Sequence, residues 1–163
     1  MSKYLYLIRH AKSDWTGGLP DHERPLNHRG KRDAPQMASR LSQQAPQPEV
    51  LLSSPAQRAL STAQYFADVL LYPKDQIQVD EKIYEADVTT LLHIINTFDH
   101  PSNCLALFGH NPGISLFASY LSDGIYRDFP TCAVALFQFD CQHWAEISHG
   151  TGFLRWFSYP KLV

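Results

Sequence analysis

The stretch Val50-Leu51-Leu52-Ser53-Ser54-Pro55-Ala56-Gln57-Arg58-Ala59-Leu60 decides the fold class. Three apolar residues make a short strand, and a polar Ser-Ser-Pro ends it. Apolar residues then recur as Ala56, Ala59, Leu60, Ala63, Phe66, Ala67 and Leu70, the spacing of one helix face. Ser54 reads as an N-cap and Pro55 as the first helical residue, where its missing N–H costs nothing. A buried strand running straight into a helix is the unit of an α/β domain.

The same unit recurs on both sides. Tyr4 to Ile8 is a buried strand ended by Arg9-His10. Lys12 to Leu26 is a long loop, and Asn27 to Gln43 a helix with Ala34, Met37, Ala38 and Leu41 on one face. Pro35 removes a backbone donor there and is expected to kink that helix or reset its start. Ile77 to Val79 makes a short strand, and Val88 to Phe98 a helix. Cys104 to Phe108 is a third buried strand, followed by Gly109-His110-Asn111-Pro112-Gly113 and a helix through Ile114, Phe117 and Leu121. Asn111 and Pro112 repeat the cap-then-proline signal. Thr131 to Phe139 and Gly152 to Ser158 read as strands with no helix between them, hence an antiparallel pair. The expectation is a single domain over 1–163: three layers, α/β/α, with a mainly parallel sheet and an antiparallel C-terminal strand pair.

Composition bounds the function. The chain has 163 residues, 44% of them apolar and 18% charged, with 14 Lys+Arg against 16 Asp+Glu. A net charge of −2 gives no general reason to hold nucleic acid or an anionic membrane, so neither is expected as a partner. Three cysteines, Cys104, Cys132 and Cys141, are odd in number and lack metal-ligand spacing, which fits core thiols and a cytoplasmic location. The apolar start is cut short by Arg9, so no secretory or membrane-spanning segment is expected.

In open α/β sheets ligands bind beyond the carboxyl ends of the strands. Three ends here carry Arg9-His10, Ser53-Ser54-Pro55 with Arg58 just inside its helix, and Gly109-His110-Asn111-Pro112. Each alone has an ordinary reading as turn, cap or solvated surface. Together, in a charge-poor chain, they suit a phosphate: guanidinium forks for its oxygens and a neutral imidazole able to attack phosphorus. His22, His28, His93, His100, His143 and His149 show no ligand spacing, so no metal and no other cofactor is expected. Gly109-His110-Asn111-Pro112-Gly113 superficially mimics a nucleophile elbow, but Asn111 at its centre cannot attack.

Arg9-His10-Ala11-Lys12-Ser13-Asp14-Trp15 resembles the arginine-histidine signature of the histidine phosphatase (phosphoglycerate mutase-like) superfamily. Ser53 to Thr62 is similar to its second arginine motif, and Gly109-His110-Asn111-Pro112 to its second histidine motif. Asp21-His22-Glu23-Arg24-Pro25-Leu26-Asn27-His28-Arg29-Gly30 resembles the short phosphohistidine phosphatase (SixA-type) branch, as do Trp144 and the Phe153 to Pro160 segment. The resemblance implies a phosphoglycerate mutase-like fold with His10 as nucleophile, transiently phosphorylated and then released by water. It implies that Arg9 and Arg58 clamp phosphoryl oxygens, that Arg24 joins them, and that His110 donates to one. For the proton donor, Glu85 in Ile83-Tyr84-Glu85-Ala86 is the first choice, with Asp14 and Asp21 as rivals.

Between Arg58 and His110 there is room for one helix, one short strand and loops, too little to roof the rim. An open site suits a phosphorylated side chain on a protein surface. The expected substrate is phosphohistidine in a protein. A small phosphoester, or a non-catalytic phosphate-binding module, is the alternative.

Overall fold

The structure is a computed structural model that describes residues 1–124 and 126–162. Its strands are β1 (Lys3–Arg9), β2 (Val50–Ser53), β3 (Gln78–Val79), β4 (Cys104–Gly109), β5 (Val134–Phe139) and β6 (Gly152–Ser158). Its α-helices are α1 (His28–Ser42), α2 (Gln57–Leu70), α3 (Val88–Asn96) and α4 (Gly113–Ser122), with short 3-10 turns between them.

The strands form one sheet in the order β3-β2-β4-β1-β5-β6. β3, β2, β4 and β1 run parallel, while β5 is antiparallel to both β1 and β6. Period-two alternation sorts side chains to two cores. Leu5 and Leu7 of β1, Leu52 of β2 and Leu105 and Leu107 of β4 face α3 and α4. Tyr6 and Ile8, Leu51, and Ala106 and Phe108 face α1 and α2. Both faces are therefore covered, the condition under which a parallel sheet is stable. The expected three-layer α/β/α architecture, with its antiparallel C-terminal strands, is the one observed.

Details differ from the sequence reading. α1 runs without a reset through Pro35, because its buried stripe of Ala34, Met37, Ala38 and Leu41 holds the helix against α2 despite the missing donor. α2 begins at Gln57 with Ala56 as its cap residue, so Ser54 and Pro55 lie before the helix. Ser54 Oγ accepts from Ala56 N at 3.2 Å within the tight turn. α4 begins at Gly113 with Pro112 in the cap position, and Asn111 Oδ1 still accepts from Ser115 N (3.3 Å) and Ser115 Oγ (2.7 Å). The last-but-one strand starts at Val134 rather than Thr131. Within the long loop, Ser13 and Leu26 form an antiparallel bridge, and Asp21–Glu23 is a 3-10 turn.

Register aligns the functional ends. Arg9 pairs with Gly109 and Ser53 with Phe108. Adjacent strands β2, β4 and β1 therefore deliver Ser54, His110 and His10 to one rim.

Candidate active site

His10 leaves the end of β1 held by backbone on both sides. Its N–H donates to Gly109 O at 3.1 Å, and its own carbonyl accepts from Cys132 N at 3.0 Å. The imidazole is 7% exposed, and Nδ1 lies 2.7 Å from Ala11 O. A carbonyl only accepts, so Nδ1 carries the proton and Nε2 keeps its lone pair. Burial pushes the His10 pKa down to about 3; the Ala11 carbonyl opposes this, and His110, Arg58 and Arg9 add to it. The free site thus holds a neutral imidazole of fixed tautomer. The following turn is tied to α2 through Thr62, whose Oγ1 accepts from Ala11 N (3.0 Å) and donates to Arg58 O (2.7 Å).

His110 stands beside it, with ring centroids 5.2 Å apart. Its Nε2 is 2.7 Å from Ser54 Oγ, and Tyr84 packs edge-on at 5.6 Å. Burial first, then the Arg58 charge, hold its pKa down at about 4.

Three guanidiniums surround the pair. Arg9 donates through Nη1 to Phe129 O at 2.8 Å, and burial lowers its pKa. Arg58, 7% exposed, donates through Nη1 to Asp21 O (2.7 Å) and through Nη2 to Asp21 Oδ2 (3.0 Å). Arg24 donates to Asp21 Oδ1 through Nε (3.2 Å) and Nη2 (3.1 Å), and to Ser13 Oγ through Nη1 (2.6 Å). Its guanidinium carbon lies 3.4 Å from the centroid of the Trp15 ring, a stacked arrangement that fixes its plane.

Among the described residues five buried side-chain polar atoms lack a hydrogen-bond partner. Three are Arg9 Nε, Arg58 Nε and His110 Nδ1. A buried orphan polar group costs about 1–3 kcal/mol, so three at one rim mark a place for a ligand, and the two guanidinium nitrogens, which only donate, call for its acceptors. Phosphoryl oxygens are acceptors of that kind.

The structure brings together six of the expected residues, His10, Arg9, Arg58, His110, Arg24 and Asp21, and leaves Asp14 and Glu85 outside. Asp21 is in the cluster. It accepts from Tyr84 Oη as well as from the two arginines, and the Tyr84 hydrogen bond foremost keeps its carboxyl below the usual range. Asp14 accepts from Thr16 N (2.8 Å) and Thr16 Oγ1 (2.6 Å), and these bonds lower its pKa. It serves a local turn. Glu85 is exposed at a left-handed position, φ 56°, and no hydrogen bond joins it to the cluster among the described residues. That turn carries the chain from Tyr84 to Ala86, whose carbonyl packs against Gly113.

Ser54, Thr62 and Tyr84 also build the site, and the sequence reading gave none of them that part. Ser54 has a cap's signature, which hid its bond to His110. Tyr84 sits in the segment quoted for Glu85, one residue away. Among the described residues no three His, Cys, Asp or Glu side chains gather as metal ligands, and no helix is long and apolar enough to cross a membrane.

Known proteins match this chain as follows. The histidine phosphatase superfamily (branch 1) matches residues 5–94. An uncharacterized chloroplastic protein of Arabidopsis thaliana is 34% identical over 155 residues, covering 90% of this chain and 71% of that protein. A solved structure from Nakamurella multipartitia, named for the phosphohistidine phosphatase SixA, superposes with a TM-score of 0.83 at 20% identity, covering 99% of this chain and 98% of that one. A protein histidine phosphatase SixA solved with tungstate gives a TM-score of 0.77 at 24% identity, covering 96% and 97%.

Proposed function

Because the chain belongs to the histidine phosphatase superfamily, we propose that it is a metal-independent phosphatase that works through a phosphorylated His10 and acts on phosphohistidine in proteins. The observation that carries the reading is the set of partnerless nitrogens, Arg9 Nε, Arg58 Nε and His110 Nδ1, around an imidazole whose Nδ1 faces the Ala11 carbonyl.

In the first step His10 Nε2 attacks phosphorus in line. The N–P bond forms as the bond to the leaving group breaks, and the proton stays on Nδ1, hydrogen-bonded to the Ala11 carbonyl. Positive charge developing on the ring is stabilised by that carbonyl. Arg9, Arg58 and Arg24 take the equatorial oxygens, where charge spreads in a loose transition state. Ser54 donating to His110 Nε2 puts the His110 proton on Nδ1, ready for a phosphoryl oxygen. Water then attacks the phosphohistidine and returns His10 to its neutral form.

The proton for the leaving group is the weakest part of the machinery. Asp21 is held ionised by Tyr84, Arg58 and Arg24, Asp14 is engaged with Thr16, and Glu85 stands apart. An alkoxide leaving group needs a good acid, whereas the imidazole of phosphohistidine departs with less help. A site with a poor acid favours the nitrogen-linked substrate. The chain between Arg58 and His110 goes into the rest of α2, two 3-10 turns, β3, α3 and β4, which leaves little to cover the rim and suits a substrate presented on a protein.

A substrate panel with chelator present throughout tests this. Wild type is expected to dephosphorylate a phosphohistidine protein, His10→Ala to lose that activity, and vanadate to inhibit strongly. Rapid hydrolysis of sugar or nucleotide esters with none of phosphohistidine would give the small-molecule phosphoesterase reading instead.

A further inference from the structure

Beside the rim, between the first turns of α1 and the chain leaving β6, lies a hollow of about 390 Å³. Val134 pairs with both Ile8 and Ser158. The residues just before β5 and just after β6 therefore sit at the end of the sheet where β1 delivers His10. Thr131, on one wall, precedes Cys132, whose N–H donates to the His10 carbonyl. Tyr159 forms part of the opposite wall, and Arg40 fixes it by donating to Ser158 Oγ (3.0 Å) and to the carbonyls of Tyr159 (2.8 Å) and Pro160 (3.1 Å).

The lining is cationic in a chain that is net acidic. Arg29, Arg32 and Lys161 are exposed there, against one carboxylate, Asp33. Asp33 is 2% exposed, its Oδ1 lies 3.4 Å from Arg32 Nε and its Oδ2 3.5 Å from Arg29 Nε, and Oδ2 has no hydrogen-bond partner. The hollow thus carries an excess of two positive charges at its mouth, the buried Asp33 offsetting only one of the three cations. None of these groups takes part in the chemistry at His10.

We infer that this hollow is a docking groove for an acidic segment of the phosphoprotein, flanking the histidine that is dephosphorylated. The inference rests on the phosphohistidine reading and adds how the substrate is chosen. An extended acidic peptide answers that charge: its carboxylates reach the exposed Arg29, Arg32 and Lys161. A nucleic-acid strand finds no wider basic surface to follow beyond the hollow on a chain of net charge −2. Complementary charge beside a shallow site raises the encounter rate with the right partner and disfavours basic ones.

The test uses two phosphohistidine peptides of equal length, one flanked by glutamates and one by lysines, with phosphoramidate as a small substrate. Wild type is expected to show kcat/KM about tenfold higher for the glutamate-flanked peptide, the sum of a few exposed ion pairs. The preference should shrink as salt rises and vanish in Arg32→Glu/Lys161→Glu, with phosphoramidate turnover reporting on the catalytic centre. Equal rates on the two peptides, from an enzyme that turns over phosphoramidate, would overturn the groove and leave the phosphatase reading standing. Competition by an oligonucleotide as effective as the glutamate-flanked peptide would also overturn it. Failure to turn over phosphoramidate and both peptides would remove the phosphatase reading, and the groove with it.

Discussion

Arg58 holds Asp21 at two points, its Nη1 on the backbone carbonyl at 2.7 Å and its Nη2 on the carboxylate at 3.0 Å. The same carboxylate takes Arg24 on its other oxygen. A carboxylate bridging two guanidiniums occupies donors that a phosphoryl group would use, and its charge repels the incoming anion. Asp21→Asn removes the charge and keeps the shape. Vanadate is expected to bind this variant about two- to fivefold more tightly, the range of a partly exposed ion pair, as read by calorimetry. Unchanged or weaker binding would mean that Asp21 supports the arginines more than it competes for them.

Ser54 is fully buried and is the hydrogen-bond partner of His110 Nε2. Ser54→Ala leaves that nitrogen unsatisfied and frees the tautomer. A loss of about 1–3 kcal/mol in transition-state stabilisation follows, seen as a fall of about five- to 150-fold in kcat with a small change in KM. A fall confined to KM would assign Ser54 to substrate binding instead.

Gly30, in the first turn of α1, lies against the nucleophile's loop. A Cβ there would stand 2.2 Å from Lys12 O, the same carbonyl that accepts from Asn27 N at 3.0 Å. Alanine in a helix ordinarily gains about 1 kcal/mol over glycine, but this backbone overlap outweighs it. Gly30→Ala is expected to destabilise by about 1–3 kcal/mol, lowering Tm by several degrees and activity with it. A raised Tm would show that the Lys12 segment yields without cost.

Stability should fall in mild acid. His10 and His110 are held neutral to about pH 3 and pH 4, chiefly by burial, whereas an unfolded histidine protonates near 6.5. Between pH 6.5 and 4 the unfolded chain therefore binds more protons. Unfolding free energy drops as pH falls through that window, by up to about 2.7 kcal/mol per pH unit if both residues contribute fully. His10→Asn should roughly halve this histidine contribution in urea titrations run across the window. A slope unaffected by the substitution would contradict the buried, neutral state of His10.

The fold was readable because its signals are local: apolar runs of strand length, helical spacing, and polar breaks between them. So were the cationic and imidazole groups, since each follows directly from a strand end. What the sequence concealed is long-range. Asp21 is 37 positions from Arg58 and looks like any loop carboxylate until Tyr84 and two arginines close on it. Ser54 carried two roles in one residue type, and the cap reading hid the bond to His110. Pro35 does not reset the start of α1, because tertiary packing of α1 on α2 overrides one lost backbone bond.

The central claim, that His10 is the group that accepts phosphate, is tested most directly by rapid-quench trapping with a labelled phosphohistidine substrate. The expected result is an acid-labile, alkali-stable phosphoryl group on the peptide containing His10, formed before free phosphate appears and absent in His10→Ala. Steady turnover with no such intermediate, or with the label on another residue, would contradict the account.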